Sequence, residues 1–142
     1  MIVDSSALVA ILKSELMAES CLVALESNLV RRMSAVTFLE VSLVVDNSPD
    51  PMMSMRFDEL MSAQGIVIEP VTESQARLAR IAHQRYGRGN DSKARLNFGD
   101  CFAYALSIER NEPLLFVGDD FTHTDIRPAL GPPSEPDAGT PG

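Results

Sequence analysis

The chain has no apolar run near the ~18 residues of a membrane span, no Cys-x-x-Cys or His-rich spacing, and no internal repeat. The first absence argues against a transmembrane helix. The start of the chain also lacks the charged-then-apolar layout of a secretory signal, so the expected location is a reducing cytoplasm. The second argues against a structural zinc site. Cys21 and Cys101 fall in helix-like stretches and read as small buried hydrophobes, not as a disulfide framework. Neither His83 nor His123 stands near a candidate nucleophile in a strand-turn-helix setting, which argues against a Ser-His-Asp or Cys-His hydrolase. Both read more simply as surface residues. Positive charge is also scarce: 12 Lys and Arg face 20 Asp and Glu, for a net charge of −8. Such a balance argues at first sight against nucleic acid, whose binding is dominated by cations.

What remains suits one compact domain, because 142 residues at 45% hydrophobic content can build a genuine core. Met1 to Asp4 is a short apolar β-type run, and Ser5-Ser6 read as capping residues for a helix over Ala7 to Leu12. A second helix is expected over Glu15 to Ser27 and a strand over Leu29 to Ser34. Ala35 to Asp46 then reads as a helix with Phe38, Val41 and Val45 on one side and Glu40 inside it. After the Pro49-Asp-Pro51 break come a helix over Met52 to Ala63 and a strand over Ile66 to Ile68. Thr72 to Gln75 has capping spacing for a helix ending near Tyr86-Gly87, and 88–96 reads as a basic loop. Asn97 to Asp100 opens a helix through Arg110, and Leu114 to Val117 is the last strand. Short β-runs alternating with helices predict a parallel α/β sandwich, a class in which ligands collect beyond the carboxyl ends of strands.

Asp4, Glu40, Asp100 and the Asp119-Asp120 pair sit in apolar or small-residue surroundings with no cation close in sequence. Singly, each has a plain reading: a helix cap, a half-exposed helix residue, a first-turn complement to the helix dipole, a turn pair. Jointly they are harder to dismiss, since this architecture brings strand ends and helix starts to one edge. Clustered carboxylates repel one another unless a cation compensates, and oxygen-only ligands select hard ions such as Mg²⁺ or Mn²⁺. That chemistry points to a metal-dependent phosphodiesterase. The charge distribution supports it, because Arg77, Arg80, Arg85, Arg88, Lys93 and Arg95 lie between residues 77 and 99 against one acid, Asp91. A positive band therefore precedes Asp100, unless it is only a solvated helix face.

Four segments carry a resemblance: Met1 to Leu12, Ser34-Ala-Val-Thr-Phe-Leu-Glu40, Leu96-Asn-Phe-Gly-Asp-Cys-Phe-Ala-Tyr-Ala-Leu106, and Pro113-Leu-Leu-Phe-Val-Gly-Asp-Asp-Phe-Thr-His-Thr-Asp125. In order and spacing they are similar to the successive motifs of PIN-domain ribonucleases, specifically VapC toxins of type II toxin–antitoxin systems. The resemblance spans about residues 1 to 128. It implies a PIN-like three-layer α/β/α sandwich with a central parallel sheet, residues 1–130 forming the PIN domain. The acidic, Pro/Gly-rich residues 131–142 depart from the family pattern and, because they cannot bury apolar area, are expected to form a disordered tail. The resemblance further implies a Mg²⁺-dependent endoribonuclease, with Mn²⁺ as a substitute, held inactive by a VapB antitoxin and forming a homodimer. The family's acids fall on Asp4, Glu40, Asp100 and Asp120, with Asp119 assisting. Ser6 matches the small hydroxyl that supports the metal site. Ser5 stands where the family usually has Thr. Asp4 and Asp100 are expected to hold the principal ion, and Arg85, Arg88, Lys93 and Arg95 to grip RNA.

Two other acidic-site classes fit less well. A phosphoacceptor receiver needs an acid pair after its first strand and a Lys after its last, and here the pair follows the last strand. An Asp-x-Glu exonuclease fails because Ser5-Ser6 follow Asp4. A binding module with inactive acids remains an alternative, which cleavage of RNA would separate. Met52, Met53, Met55 and Met61 crowd one helix and cannot all face a core if it is peripheral, which suits an adaptable interaction surface.

Overall fold

The computed structural model describes residues 1–89 and 91–131. Most of the tail expected over 131–142 thus lies outside the described residues. The elements run β1 (Ile2–Val3), α1 (Ser5–Leu12), α2 (Ala18–Glu26), β2 (Arg32–Ser34), α3 (Ala35–Asp46), α4 (Met53–Gln64), β3 (Val67–Glu69), α5 (Glu73–Tyr86), α6 (Phe98–Arg110) and β4 (Leu114–Leu115). The strands form one parallel sheet of order β3-β2-β1-β4.

Alternation along the apolar pairs of β1 and β4 makes the layers. On β1, Ile2 enters one core and Val3 the other, and on β4 Leu114 and Leu115 divide in the same way. The core shared by Val3 and Leu115 is filled from α1 to α4 by residues such as Leu8, Leu25, Val41 and Phe57. The opposite core, around Ile2 and Leu114, is filled from α5 and α6 by Ala79, Ala82, Tyr104 and Leu106. The result is the expected three-layer sandwich, with β1 and β4 buried on both faces and the edge strand β3 left largely exposed at Val67 and Ile68.

Several boundaries differ from the sequence reading. Asp4, not Ser5 or Ser6, caps α1: its carboxylate accepts from the Ser6 amide at 3.1 Å, and both serines are helical. The second helix begins at Ala18 and not at Glu15, because Ser14 turns through a left-handed conformation (φ 52°) before it. The strand expected over Leu29 to Ser34 is confined to Arg32–Ser34. The register pairs Arg32 with both Ile2 and Val67, so Leu29 lies beyond the paired stretch and is fully exposed. β3 is shifted one residue from the expected span, and β4 ends two residues early, at Leu115. Of the methionines near α4, Met53 is buried and Met61 packs on the core, whereas Met52 and Met55 are exposed. No helix among the described residues is long and apolar enough to cross a membrane.

Candidate metal centre

The carboxyl edge of the sheet collects the acids, and each arrives by a different local device. Asp4 is the first residue after β1, held between neighbours because its backbone N–H donates to the Leu115 carbonyl of β4 at 2.9 Å. Ser34 ends β2 and caps α3, its hydroxyl accepting from the Val36 amide at 3.2 Å, so α3 starts at the same edge and carries Glu40. α6 leads into β4 at the opposite edge, which puts its first turn and Asp100 beside Asp4. Asp120 follows the turn at Gly118, where φ of +96° is a conformation that favours glycine.

Ser6 ties two of these segments together. Its Oγ donates to Asp4 Oδ2 at 2.6 Å and accepts from the Val117 amide at 2.9 Å, fixing the β1 acid relative to the β4 exit. Asp100 is fixed by a reciprocal capping box: the Asn97 side chain accepts from the Asp100 amide at 2.8 Å, and Asp100 Oδ2 accepts from the Asn97 amide at 3.0 Å. Asn97 thus positions the acid, a role the sequence reading did not assign.

Gly99 was missed as well. A Cβ added there would fall on the Glu40 carboxyl, so only glycine lets α3 and α6 approach with that group between them. Its signal in the sequence is faint: a glycine inside the first turn of a helix, where it is intrinsically unfavourable.

The electrostatics follow from this crowding. Asp4 is 2% exposed and Asp100 6% exposed. Burial, followed by the Asp4 charge, pushes the Glu40 carboxyl up to about 7. Burial likewise pushes Asp100 up to about 7, opposed by the Asn97 amide and reinforced by Asp4, Asp120 and Glu40. Asp4 is raised by burial against the Ser6 hydrogen bonds, with Asp120 adding to the rise. Asp4 Oδ1 and Glu40 Oε1 are buried without any hydrogen-bond partner. Among the described residues, none of these four acids forms an ion pair with a Lys or Arg.

A buried carboxylate oxygen with no donor costs several kcal/mol in general unless something positive meets it. Hard oxygen donors, mutual repulsion and two orphaned oxygens together fit a divalent cation. As they stand, the acids do not close into a cage of three ligands around one point.

Of the final pair, Asp120 is the one whose charge acts on Asp4 and Asp100, while Asp119 lines a cavity of about 480 Å³ with Met17, Phe116, Val117 and Phe121. The basic band also divides. Arg77 pairs with Glu73 at 3.2 Å, and Arg85 acts on Tyr104, whose hydroxyl donates to Asp125 at 2.8 Å. Arg88 and Arg95 instead share a polar pocket, with Arg88 Nε donating to the Arg95 carbonyl at 3.4 Å. Lys93 is exposed on the same loop.

Comparison with known proteins places this geometry. Residues 1–127 match the PIN domain family. Ribonuclease VapC28 of Mycobacterium tuberculosis is 52% identical over 130 residues, covering 92% of this chain and 98% of the relative. Among solved structures, Mycobacterium tuberculosis VapC20, described as a sarcin-ricin loop cleaving toxin, aligns with a TM-score of 0.68 at 15% identity, covering 89% of this chain and 98% of that one. A toxin-antitoxin complex from Klebsiella pneumoniae gives a TM-score of 0.66 at 16% identity, covering 87% and 92%. The two structural likenesses are likenesses of fold.

Proposed function

The chain belongs to the PIN-domain family as an endoribonuclease of the VapC kind, the toxin of a toxin–antitoxin pair, and on that premise we propose that its four clustered acids hold the divalent ion the reaction needs. The ion is Mg²⁺, with Mn²⁺ as substitute. The observation that carries this reading is the pair of buried, partnerless oxygens, Asp4 Oδ1 and Glu40 Oε1, within a group of acids that lacks a cationic partner among the described residues. Asp4 and Asp100 are its principal ligands, and Glu40 and Asp120 bind it directly or through water.

When bound, such an ion supplies a Lewis acid that makes water a better nucleophile and stabilises charge on the phosphodiester. The chain's own residues supply the rest. Ser6 and Asn97 hold Asp4 and Asp100 in fixed orientations, so their oxygens need no reorganisation at the moment of reaction. Glu40, held between α3 and α6 beside Gly99, presents its partnerless Oε1 to the same ion or to a water on it. Asp119 is at most an outer helper. Arg85, Arg88, Lys93 and Arg95 offset the acidic net charge locally and hold the phosphates flanking the scissile bond.

Regulation follows from the same electrostatics. A VapB-type antitoxin inhibits by placing a cation, an Arg of its carboxyl-terminal segment, against the acids, where it competes with the metal and occupies the phosphate's position. The active unit is a homodimer in the cytoplasm, with residues 1–130 as the PIN domain. Mapping of cleavage ends in cellular RNA, after expression with and without the neighbouring antitoxin, tests substrate, reaction and inhibition together. New ends that vanish with the antitoxin are expected, and an unchanged end map would refute the reading.

A further inference from the structure

Phe98 occupies the first position of α6, two residues before Asp100, and is 76% exposed. It packs edge-on against Phe102 one turn later, with ring centroids 5.1 Å apart at 64°. The two rings form one wall of a groove of about 510 Å³ between α5 and α6, floored by Ala79 and Leu96. Arg80 and Arg88 stand on its rim, and no Asp or Glu lines it. Among the described residues neither arginine has a carboxylate partner.

We propose that this groove is a nucleobase subsite, in which an unpaired base of the RNA stacks on Phe98 while Arg80 and Arg88 hold the phosphates on either side. The inference rests on the nuclease reading above and extends it from the cleavage centre to the substrate's base. Three features select this occupant. The platform stands at the amino-terminal end of α6, the end that carries Asp100, so a base on Phe98 keeps the RNA strand at the edge where the acids collect. An apolar floor with an exposed aromatic face and a rim that carries two arginines and no carboxylate complements a flat base flanked by two anions. The volume is also that of a small-ligand cleft. Phe98 is therefore a substrate-positioning residue, because wherever the base is held the adjoining phosphodiester is held too.

The test is binding of a short fluorescein-labelled single-stranded RNA of mixed sequence, and of its abasic counterpart, in EDTA so that no cleavage occurs. Phe98→Ala should weaken binding of the intact RNA by about 5- to 150-fold, the range of base–aromatic stacking. Its effect on the abasic RNA should be small. Phe98→Trp should retain affinity, which separates stacking from damage to the fold. Arg80→Gln and Arg88→Gln should each lower the salt dependence by about 0.7 in log–log slope, whereas Phe98→Ala should leave that slope unchanged. Equal binding by wild type and Phe98→Ala, while wild type still cleaves RNA in Mg²⁺ and Asp100→Asn does not, overturns the subsite and leaves the nuclease reading intact. Loss of a dimer on Phe98→Ala, read as a halved mass by light scattering with RNA affinity kept, also overturns it, by assigning the groove to a second copy of the chain. Wild-type protein that neither binds nor cleaves RNA removes both readings.

Discussion

The carboxyl of Glu40 occupies the space in which a side chain at Gly99 would begin. One residue on α3 and one on α6 are thereby interlocked, and the acid's position depends on the absence of a methyl group on its neighbour. Gly99→Ala should displace Glu40 from the cluster and cost about 1–3 kcal/mol of stability from overpacking. RNA cleavage should fall by at least about 10²-fold, the order seen when a catalytic group is misplaced. Circular dichroism and single-turnover cleavage read the two effects, and a fully active, equally stable Gly99→Ala would show that the close approach is unimportant.

The raised carboxyls carry a pH dependence whose sign can be worked out. Glu40 and Asp100 move from ordinary values of 4.5 and 3.8 up to about 7. Between those limits the folded chain binds more protons than the unfolded one. The stability this confers is fully present below the ordinary values and is lost as pH rises through about 7. Metal-free protein should therefore melt at a lower temperature at pH 8 than at pH 5, and saturating Mg²⁺ should remove much of the difference. A melting temperature that rises across that window without metal would contradict the burial of these acids as charged groups.

Removing one repelling charge should help the metal-free fold. Asp4→Asn in EDTA should be as stable as wild type or slightly more so while cleavage is abolished, because an amide keeps the shape without the negative charge. Thermal denaturation with and without EDTA reads this, and a strongly destabilised Asp4→Asn would assign Asp4 a mainly structural role as the cap of α1.

Ser6→Ala removes both the donor to Asp4 Oδ2 and the acceptor for the Val117 amide. The expected loss is about 1–3 kcal/mol, since a buried group is left without its partner. Activity should fall with it, and Ser6→Thr should restore most of both. Failure of Thr to rescue would place the effect in packing instead of hydrogen bonding.

Neutralising Arg85, Arg88, Lys93 and Arg95 together should weaken RNA binding and flatten its salt dependence. Arg88 and Arg95, which share one pocket, should account for more of the change than Arg85, whose charge acts on Tyr104. An unchanged slope would return the band to a solvated surface.

The fold and most of the centre were legible because the signals were local. The span of α3 was read to the residue, Thr72 opens α5 as its capping spacing suggested, and α6 starts at the Asn97–Asp100 stretch where it was expected. Apolar flanks placed Glu40 inward, and strand ends placed Asp4 and Asp120 at one edge. Less legible was anything set by a partner distant in sequence. Strand limits at Leu29 and Val117 depended on which neighbour was available to pair, and the need for glycine at position 99 depended on a carboxyl from another helix. The different surroundings of Asp119 and Asp120, and of Arg85 and Arg88, likewise depend on residues brought in from elsewhere in the chain, which adjacency in sequence does not convey.

The central claim is that Asp4, Glu40, Asp100 and Asp120 jointly hold a divalent ion. Titration of Mn²⁺ followed by electron paramagnetic resonance, on wild type, Asp4→Asn, Asp100→Asn and Asp119→Asn, tests it most directly, without reliance on any RNA. Wild type and Asp119→Asn should take up Mn²⁺ alike, and Asp4→Asn and Asp100→Asn should lose most of that binding. Equal Mn²⁺ uptake by all four proteins would contradict the account.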